Sequence, residues 1–301
     1  MIHFDSHEFS GLNYKSYEKD KSSKRFLRDL EDSMSVITMA KRCGVPEWKI
    51  KKLIENFKLG KRKLIKKVIV QPDTHVPYED KAAVKVFKKF CKKYEPDIFV
   101  HLGDWDDVDS LSRWNEHKKR KVDFGQRYEE MKSLKAEVKS TEDILPGGCK
   151  KIYTMGNHEM RVWAYYLKHP QSIGCMDLKD WMTDKGWMVY PEGKLAIVGN
   201  LHFTHNTYTN LHACAKSCDY GLDMVFGHLH TWQVYTKMIA GKRVTTICGG
   251  HLADVQHCHE SYMRGKPLKW HQGFLTCEID ILTGQWSVKF NSIEDGKLIG
   301  V

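Results

Sequence analysis

The sequence lacks the long apolar runs of a membrane protein, since none approaches the roughly 18 residues that a span requires. Its N-terminus has no basic stretch followed by an apolar one, so we expect no secretion by signal peptide. The nine cysteines are scattered and include no Cys-x-x-Cys pair. We therefore expect reduced thiols in a cytoplasmic protein that makes no membrane contact.

What the sequence has in excess is positive charge, with 48 Lys and Arg against 38 Asp and Glu over 301 residues, a net charge of +10. Residues 41–67 hold eleven basic and two acidic residues, a net +9, and a second basic cluster occupies residues 118–121. Such blocks are commonly solvated faces. They also bind phosphates by releasing counterions. We expect nucleic acid, DNA rather than RNA, as the partner of both segments, and the oligomeric state stays open.

The first 63 residues show helical spacing of apolar residues and no strand signal. The turn Gly44-Val45-Pro46 interrupts this pattern. Ala40, Gly44, Ile50 and Leu53 have the spacing of a helix-turn-helix, in which two helices approach closely at a small residue. A three-helix module that only packs fits the same pattern, so both interpretations stand for the segment 1–63.

From residue 64 onward, short apolar or β-branched runs alternate with helical stretches at 81–93 and 127–141, which predicts an α/β domain over 64–301. Later strands follow one another more directly, as in a mixed or antiparallel sheet. The predicted strands are Leu64–Val70, Asp97–Leu102, Lys151–Met155, Leu195–Val198, Leu201–Thr204, Met224–Phe226, Val244–Ile247, Phe274–Ile279 and Trp286–Phe290.

Five clusters of metal-ligating residue types each follow a predicted strand. Ligands of α/β proteins bind at the carboxyl ends of strands, so these clusters are expected to converge. Each cluster alone is a weak signal, whereas all five in this order are a strong one. The clusters are Asp73-Thr74-His75, Gly103-Asp104-Trp105-Asp106-Asp107, Gly156-Asn157-His158-Glu159, His205-Asn206 and Gly227-His228-Leu229-His230.

The side chains of these clusters are carboxylates, imidazoles and one amide, with no thiolate among them. Oxygen and imidazole ligands suit Mn²⁺, Fe or Zn²⁺. The number of groups is sufficient for two ions, and a carboxylate can bridge them. We expect two divalent metal ions, Mn²⁺ first, with Fe, Zn²⁺ or Ni²⁺ as alternatives.

The order of these motifs resembles the calcineurin-like metallophosphoesterases, whose signature runs Asp-x-His, Gly-Asp-x-x-Asp, Gly-Asn-His-Asp/Glu, a strand-terminal His and Gly-His-x-His. The resemblance spans about residues 64–290. It implies an α/β fold of four layers, an αββα sandwich. One departure is that the fourth motif usually reads His-Gly, whereas Asn206 follows His205 here.

The resemblance also implies roles for individual residues. Asp104 would bridge the two ions, His158 would act as general acid or stabilise the transition state, and Asp107 would orient His158. The assignment of His228 and His230 to one ion or the other comes from the family and not from spacing. One ion would be held by Asp73, His75, Asp104 and His230, and the other by Asp104, Asn157, His205 and His228.

Two further residues are candidates for substrate binding. Arg161, two residues beyond the third motif, is expected either to contact phosphate or to form a structural salt bridge. His251 follows a later predicted strand and is expected to touch the substrate from a loop near the site.

The resemblance implies a binuclear phosphoesterase that uses a metal-bridging hydroxide. The basic segments favour a nuclease or phosphodiesterase acting on nucleic acid or nucleotides. A serine/threonine protein phosphatase or a small-molecule phosphomonoesterase is the first alternative. A DNA-binding regulator with a non-catalytic phosphoesterase core is the second, and the complete set of metal-ligand residues argues against it.

Overall fold

The computed structural model describes residues 13–19, 23–33, 35–57, 64–112, 124–174, 178–210, 212–257 and 269–299. The predicted basic cluster at 118–121, part of the basic block 41–67 and the predicted boundary at residue 63 lie outside these ranges. Among the described residues, the chain divides into two compact units. One unit lies within Met1–Lys66, Ile197–Leu201 and Glu278–Ser287, and the other within Lys67–Ala196, His202–Cys277 and Val288–Val301.

The helices of the described residues are numbered along the chain. They are α1 Tyr14–Lys19, α2 Ser23–Ser33, α3 Val36–Cys43, α4 Glu47–Asn56, α5 Lys81–Tyr94, α6 Phe124–Glu142, α7 Met160–Lys168, α8 Leu178–Asp184 and α9 Ala213–Ser217, with short 3₁₀ turns at Asp109–Leu111, Pro170–Ser172 and Cys218–Tyr220. None of them combines the length and the apolar character that a bilayer crossing requires.

The first unit is helical at its N-terminal side, as the sequence predicts. Ser35 caps α3 by accepting a hydrogen bond from the Thr38 N–H, and Gly44 ends the helix in the left-handed conformation at φ 63°. Helix α4 then packs against α3, and the predicted inward residues Ala40, Ile50 and Leu53 are all buried. The packing is shown; a helix-turn-helix that binds nucleic acid stays a prediction.

Twelve strands are present in the described residues. They are β1 Ile65–Gln71, β2 Ile98–His101, β3 Lys150–Thr154, β4 Met188–Tyr190, β5 Ala196–Val198, β6 Leu201–Thr204, β7 Met224–Phe226, β8 Trp232–Ile239, β9 Lys242–Gly249, β10 Gly273–Asp280, β11 Trp286–Glu294 and β12 Lys297–Leu298. Each predicted strand is found, whereas β4, β8 and β12 had not been predicted.

These strands form two sheets, in the orders β12-β11-β10-β1-β2-β3-β4 and β5-β6-β7-β9-β8. Strands β1 to β4 run parallel to one another, and so do β6, β7 and β9, whereas β8 pairs antiparallel with β9 at the edge of the second sheet. Gly249 on β9 faces Leu102 and Leu275, so that the two sheets pack on each other where a larger residue would not fit. The carboxyl ends of β1, β2, β3, β6 and β7 carry the five predicted loops.

Helices cover the outer faces of the sheets. Phe87 of α5 and Leu134 of α6 pack with Phe99 and Phe274 in one buried cluster on the first sheet. On the second sheet, Ala213 and Cys214 of α9 pack against Phe226 and Cys248. Two stacked sheets between helices confirm the predicted α/β fold.

A buried ion pair joins α6 to the loop of the second motif. The Arg127 guanidinium donates to both carboxylate oxygens of Asp106, at 2.6 and 3.1 Å, and to Glu130 at 3.1 Å. All three side chains are buried. The Glu130 carboxylate in turn accepts the Ser110 N–H at 2.9 Å, so this network holds the segment that follows Asp104.

We predict that Asp106→Ala destabilises the protein by about 3–5 kcal/mol, because it leaves the buried Arg127 charge without its main partner. Asp143→Ala is the matched control, since it breaks an exposed pair with Lys139 at 3.3 Å; its cost is about 1 kcal/mol or less. Urea unfolding of the two variants measures the difference, and equal midpoints would contradict a stabilising role for the buried network.

Candidate metal centre

Three of the five loops reach the centre through unusual backbone conformations. His75, Asp104, His228 and His230 all adopt positive φ, between 47° and 68°. Non-glycine residues rarely occupy this region, and each costs roughly 1–3 kcal/mol of strain that the surrounding structure must offset. Four such residues lie at the ends of β1, β2 and β7. The backbone there adopts unfavourable conformations because these direct the candidate ligand side chains toward the centre.

Glycines of three motifs make room for this arrangement. A Cβ at Gly156 would lie closer than 3.0 Å to the Asp104 carboxylate, and one at Gly227 would overlap Asp73 in the same way. A Cβ at Gly103 would lie 2.7 Å from His205 Nδ1. Each glycine therefore permits close approach of a candidate ligand, which explains why it accompanies the ligand in the sequence.

One group of candidate ligands consists of Asp73, His75 and His230. His230 Nε2 lies 3.4 Å from Asp73 Oδ1 and 3.1 Å from His75 Nε2. All three side chains are buried, and their ligand atoms lie within 4.8 Å of one another. The spacing is compact enough for the three to share one ion.

A second group consists of Asp104, His205 and His228, again with ligand atoms within 4.8 Å. His205 Nε2 lies 3.2 Å from Asp104 Oδ2 and 3.0 Å from Asn157 Oδ1, which brings the predicted amide ligand to the same place. Asp104 Oδ2 is also 3.9 Å from His75 Nε2. The Asp104 carboxylate thus lies between the two groups, where a bridging ligand belongs.

The chemistry of these residues fits divalent metal ions. Asp73 Oδ2 is buried without a hydrogen-bond partner among the described residues, a costly arrangement for a carboxylate oxygen unless something else satisfies it. His205 Nδ1 donates to the Leu102 carbonyl at 2.8 Å, leaving Nε2 as the ligand atom. His75 Nδ1 is likewise bound to Asp107 at 2.7 Å. Such outer contacts fix ligand tautomers in metal sites.

Electrostatics in the metal-free centre are dominated by pairing between carboxylates and imidazoles. Burial alone would raise the pKa of Asp73, but the His230 hydrogen bond and the His205 charge hold it at about 2. Burial opposes protonation of His205, yet Asp104 raises the pKa of that imidazole to about 10. Burial and the nearby His205 lower the pKa of His228 to about 4.

Asp107 supports two imidazoles at once. Its Oδ1 accepts from His75 Nδ1 at 2.7 Å and lies 3.1 Å from His158 Nδ1, while its backbone carbonyl accepts from His158 Nδ1 at 2.7 Å. Although burial acts against ionisation, the two imidazoles hold the pKa of the Asp107 carboxyl well below its usual range. The predicted orienting contact to His158 is present, and the contact to His75 had not been predicted.

Arg161 lies beside His158. Its Nη2 is 3.0 Å from His158 Nε2, and its Nη1 donates to the Asp107 carbonyl at 2.8 Å. A guanidinium can only donate, so His158 Nε2 is the acceptor and Nδ1 carries the proton. Arg161 is partly exposed. No salt bridge between Arg161 and a carboxylate is found among the described residues, and phosphate contact stays a prediction.

Glu159, the last residue of the third motif, binds backbone N–H groups of two loops. Its Oε2 accepts the N–H groups of Asp104 and Gly156 at 3.1 and 2.8 Å, and its Oε1 accepts the Asp106 N–H at 3.0 Å. The side chain is buried. Glu159 thereby ties the second motif to the third. The sequence signal was a carboxylate directly beside His158, which by itself cannot reveal backbone partners on another loop.

His251 is buried beside His230, one of the candidate ligands. It is fully buried, with its ring centre 5.4 Å from that of His230 and 5.2 Å from that of Trp270. Neither ring nitrogen has a hydrogen-bond partner among the described residues. Substrate contact by His251 stays a prediction, and its full burial favours a supporting role beside His230.

Asn206, the departure from the family motif, points away from the ligand groups. Its side-chain amide donates to Glu192 at 3.0 Å. The adjacent His205 keeps the position expected of a ligand, so the replacement of glycine does not displace it. The nearby His202 contacts the Asp223 carbonyl through Nδ1 at 3.0 Å.

Two groups of candidate ligands, with the Asp104 carboxylate between them, lie on five loops at the ends of strands, which is the arrangement expected of the metallophosphoesterase class. A family model for calcineurin-like phosphoesterases matches residues 66–255. The chain therefore belongs to the calcineurin-like phosphoesterase family, and the resemblance inferred from the motifs is confirmed.

Individual relatives are distant. The Gene 54 protein of Mycobacterium phage D29 is 24% identical over 246 residues, covering 71% of this chain and 89% of that protein. Its counterpart from Mycobacterium phage L5 is 24% identical over 243 residues, with the same coverages.

Solved structures with a similar arrangement include vacuolar protein sorting 29 from Cryptosporidium parvum, with a TM-score of 0.44, 13% identity and coverage of 78% of this chain and 95% of that one. Wild-type Vps29 of Entamoeba histolytica, complexed with Zn²⁺, has a TM-score of 0.38, 14% identity and coverages of 77% and 95%.

We predict that Gly227→Ala weakens metal binding by about 10- to 100-fold, the range typical when the surroundings of a ligand are disturbed. The added methyl group would displace Asp73. Gly147→Ala is the control, because nothing lies within 4 Å of a Cβ there. Calorimetric titration with Mn²⁺ compares the two variants, and equal affinities would contradict the steric argument.

We also predict that metal binding releases protons near neutral pH. In the metal-free centre the pKa of His205 is about 10, so its imidazole is protonated there, whereas a metal ligand must be neutral. Affinity should therefore rise as pH rises. Calorimetry in buffers of different ionisation enthalpy counts the protons, and His205→Gln should release about one fewer. Binding without proton release would contradict a ligand role for His205.

Proposed function

We propose that the protein is a metal-dependent phosphoric ester hydrolase. The observation that carries the proposal is the convergence of two complete ligand groups on Asp104, beside a His158 that is held by Asp107. Candidate metal ligands alone would fit a purely structural site. A partly exposed rim formed by Asn157, His228 and Arg161 adds access from solvent, which a structural site does not need.

The residues of the centre have two roles, of which the first is to hold the metal ions. Asp73, His75 and His230 would hold one ion, and His205, His228 and Asn157 the other, with Asp104 shared. When bound, such ions act as Lewis acids toward phosphate oxygens and make a nucleophile available from water near neutral pH. Glu159 keeps Asp104 in place by holding the backbone of its loop.

The second role, contact with phosphate and donation of a proton, falls to His158 and Arg161. Asp107 accepts the Nδ1 proton of His158, so Nε2 points toward the rim, where the Arg161 guanidinium reaches it. A phosphate oxygen that enters would compete for the Arg161 donor. His158 Nε2 is then free to hold a proton for the departing oxygen, which is general acid catalysis. No covalent intermediate on the protein is needed.

We infer that the substrate is nucleic acid or a nucleotide, cleaved as a phosphodiester. Support comes from charge, because the segment 41–67 carries a net +9 and polyanions bind such segments by counterion release. A phosphomonoester or phosphoprotein substrate would gain less from this charge. Mn²⁺ is the ion we propose first, on the basis of the oxygen and imidazole ligand set.

The test compares hydrolysis of single-stranded DNA, duplex DNA, RNA, a cyclic nucleotide and p-nitrophenyl phosphate with added Mn²⁺. We predict cleavage of at least one diester. Asp104→Asn should lower that activity by at least about 100-fold, since even disturbing the contacts around metal ligands costs 10- to 100-fold. Asp143→Asn is the control, as Asp143 is exposed and outside the centre.

Each outcome separates the alternatives. Cleavage of the monoester alone would overturn the diester proposal and leave a phosphatase. Absence of all hydrolysis with metal bound would overturn the enzyme proposal and leave a binding protein with a phosphoesterase core. Full activity of Asp104→Asn would refute the shared position of its carboxylate.

A further inference from the structure

A groove on the helical unit presents an aromatic ring beside two lysines. The groove has a volume of about 410 Å³, and its lining includes Tyr14, Trp48, Lys49, Lys52 and Phe57. This volume lies within the roughly 300–1,000 Å³ of small-ligand sites. Every one of these residues belongs to the same unit, so the groove is complete within that unit.

Trp48 is 58% exposed although it lies on a helix with a buried face. The core of the unit is supplied by Ile50, Leu53 and Ile54 from the same helix, and Trp48 is not among its members. Packing therefore gives no reason for a tryptophan at this position. An exposed indole has the flat surface on which a base can stack.

Lys49 lies beside this ring, and Lys52 lines the same groove. Lys49 Nζ lies 5.8 Å from the centre of the Trp48 ring and 5.4 Å from that of Tyr14. Lys51 pairs with Glu47 at 3.8 Å, whereas neither Lys49 nor Lys52 has an ion-pair partner within the described parts of the chain. Two ammonium groups beside an exposed ring match the alternation of phosphate and base along a nucleic-acid strand.

Glu18 also lines the groove and opposes this charge. Lys49 and Lys52 outnumber it. The concave form decides between strand types, because a space of this size admits one unpaired base and excludes the cylinder of a duplex.

We propose that this groove binds an unpaired nucleotide of a single strand, with Trp48 stacked on the base and with Lys49 and Lys52 on the flanking phosphates. The proposal rests on the proposed function only in the choice of nucleic acid as the ligand. It differs from a helix-turn-helix in a duplex groove, because the ring and not the helix face carries the recognition.

The test uses the full-length protein in EDTA, so that no metal-dependent cleavage can occur. Fluorescence anisotropy measures binding of labelled oligo-dT, oligo-U and a duplex of equal length. Wild type should bind a single strand more tightly than the duplex, and the comparison of oligo-dT with oligo-U distinguishes DNA from RNA. Trp48→Ala should weaken single-strand binding roughly 5- to 150-fold, as loss of one stacked base does, and Trp48→Phe should restore part of it.

Salt dependence tests the lysines separately. The double variant Lys49→Gln/Lys52→Gln should reduce the slope of log affinity against log salt by about 1.4, because each phosphate contact on a single strand contributes about 0.7. Lys51→Gln is the matched control on the same helix, and its slope should equal that of wild type. All four positions are at least partly exposed, so these substitutions are expected to leave the fold of the unit intact.

Tighter binding of the duplex, or Trp48→Ala binding a single strand within twofold of wild type, would overturn the proposal. An unchanged salt slope in the double variant would overturn the phosphate contacts. Mn²⁺-dependent hydrolysis of bis(p-nitrophenyl) phosphate by wild type and Trp48→Ala is a separate readout. Its absence would refute the proposed function while leaving the binding result intact.

Discussion

The centre depends on keeping the Asp104 carboxylate ionised although it is almost wholly buried. An isolated buried charge is expensive, so it persists only where partners surround it. The imidazoles of His158 and His205 hold the pKa of the Asp104 carboxyl well below its usual range against the opposing effect of burial. The backbone N–H of His158 also donates to Asp104 Oδ1 at 2.9 Å. The loops must therefore meet at this carboxylate, and their backbone conformations follow from that requirement.

Bringing the loops together strains their backbone, and contacts with other residues keep the loops rigid. Positive φ at several candidate ligands is unfavourable locally. The Glu159 carboxylate offsets it by binding three backbone N–H groups from two loops. Beneath them, Trp105 is fully buried and stacks on His101 with ring centres 4.1 Å apart. Packed aromatic side chains thus support the strained polar loops, and such support from neighbouring residues is typical of functional sites.

The candidate ligands and the class of fold could be predicted from the sequence because each motif follows a strand, and parallel strands place their ends together. The supporting contacts could not be. Glu159 acts on backbone groups, which leave no trace in residue identity, and Arg127 meets Asp106 across 21 positions. Strand β8 is largely exposed at a sheet edge, so it lacks the alternation that identifies a half-buried strand. His251 lies close to His230, as expected of a loop near the site, but no local pattern in the sequence reveals that its side chain is fully buried.

We expect binding of a polyanion and hydrolysis of an ester to depend on different charged groups of the protein. Without metal, the candidate centre presents Asp73, Asp104 and Asp107 as carboxylates, and the imidazoles that neutralise them are already engaged. A phosphate entering this centre meets acceptors rather than donors, with Arg161 as the exception at the rim. Binding of divalent ions reverses that balance locally. Lysines of the helical unit need no such reversal, since their side chains are hydrogen-bond donors. Under the proposed function, capture of a polyanion and hydrolysis of one ester would therefore respond independently to metal, to salt and to substitution.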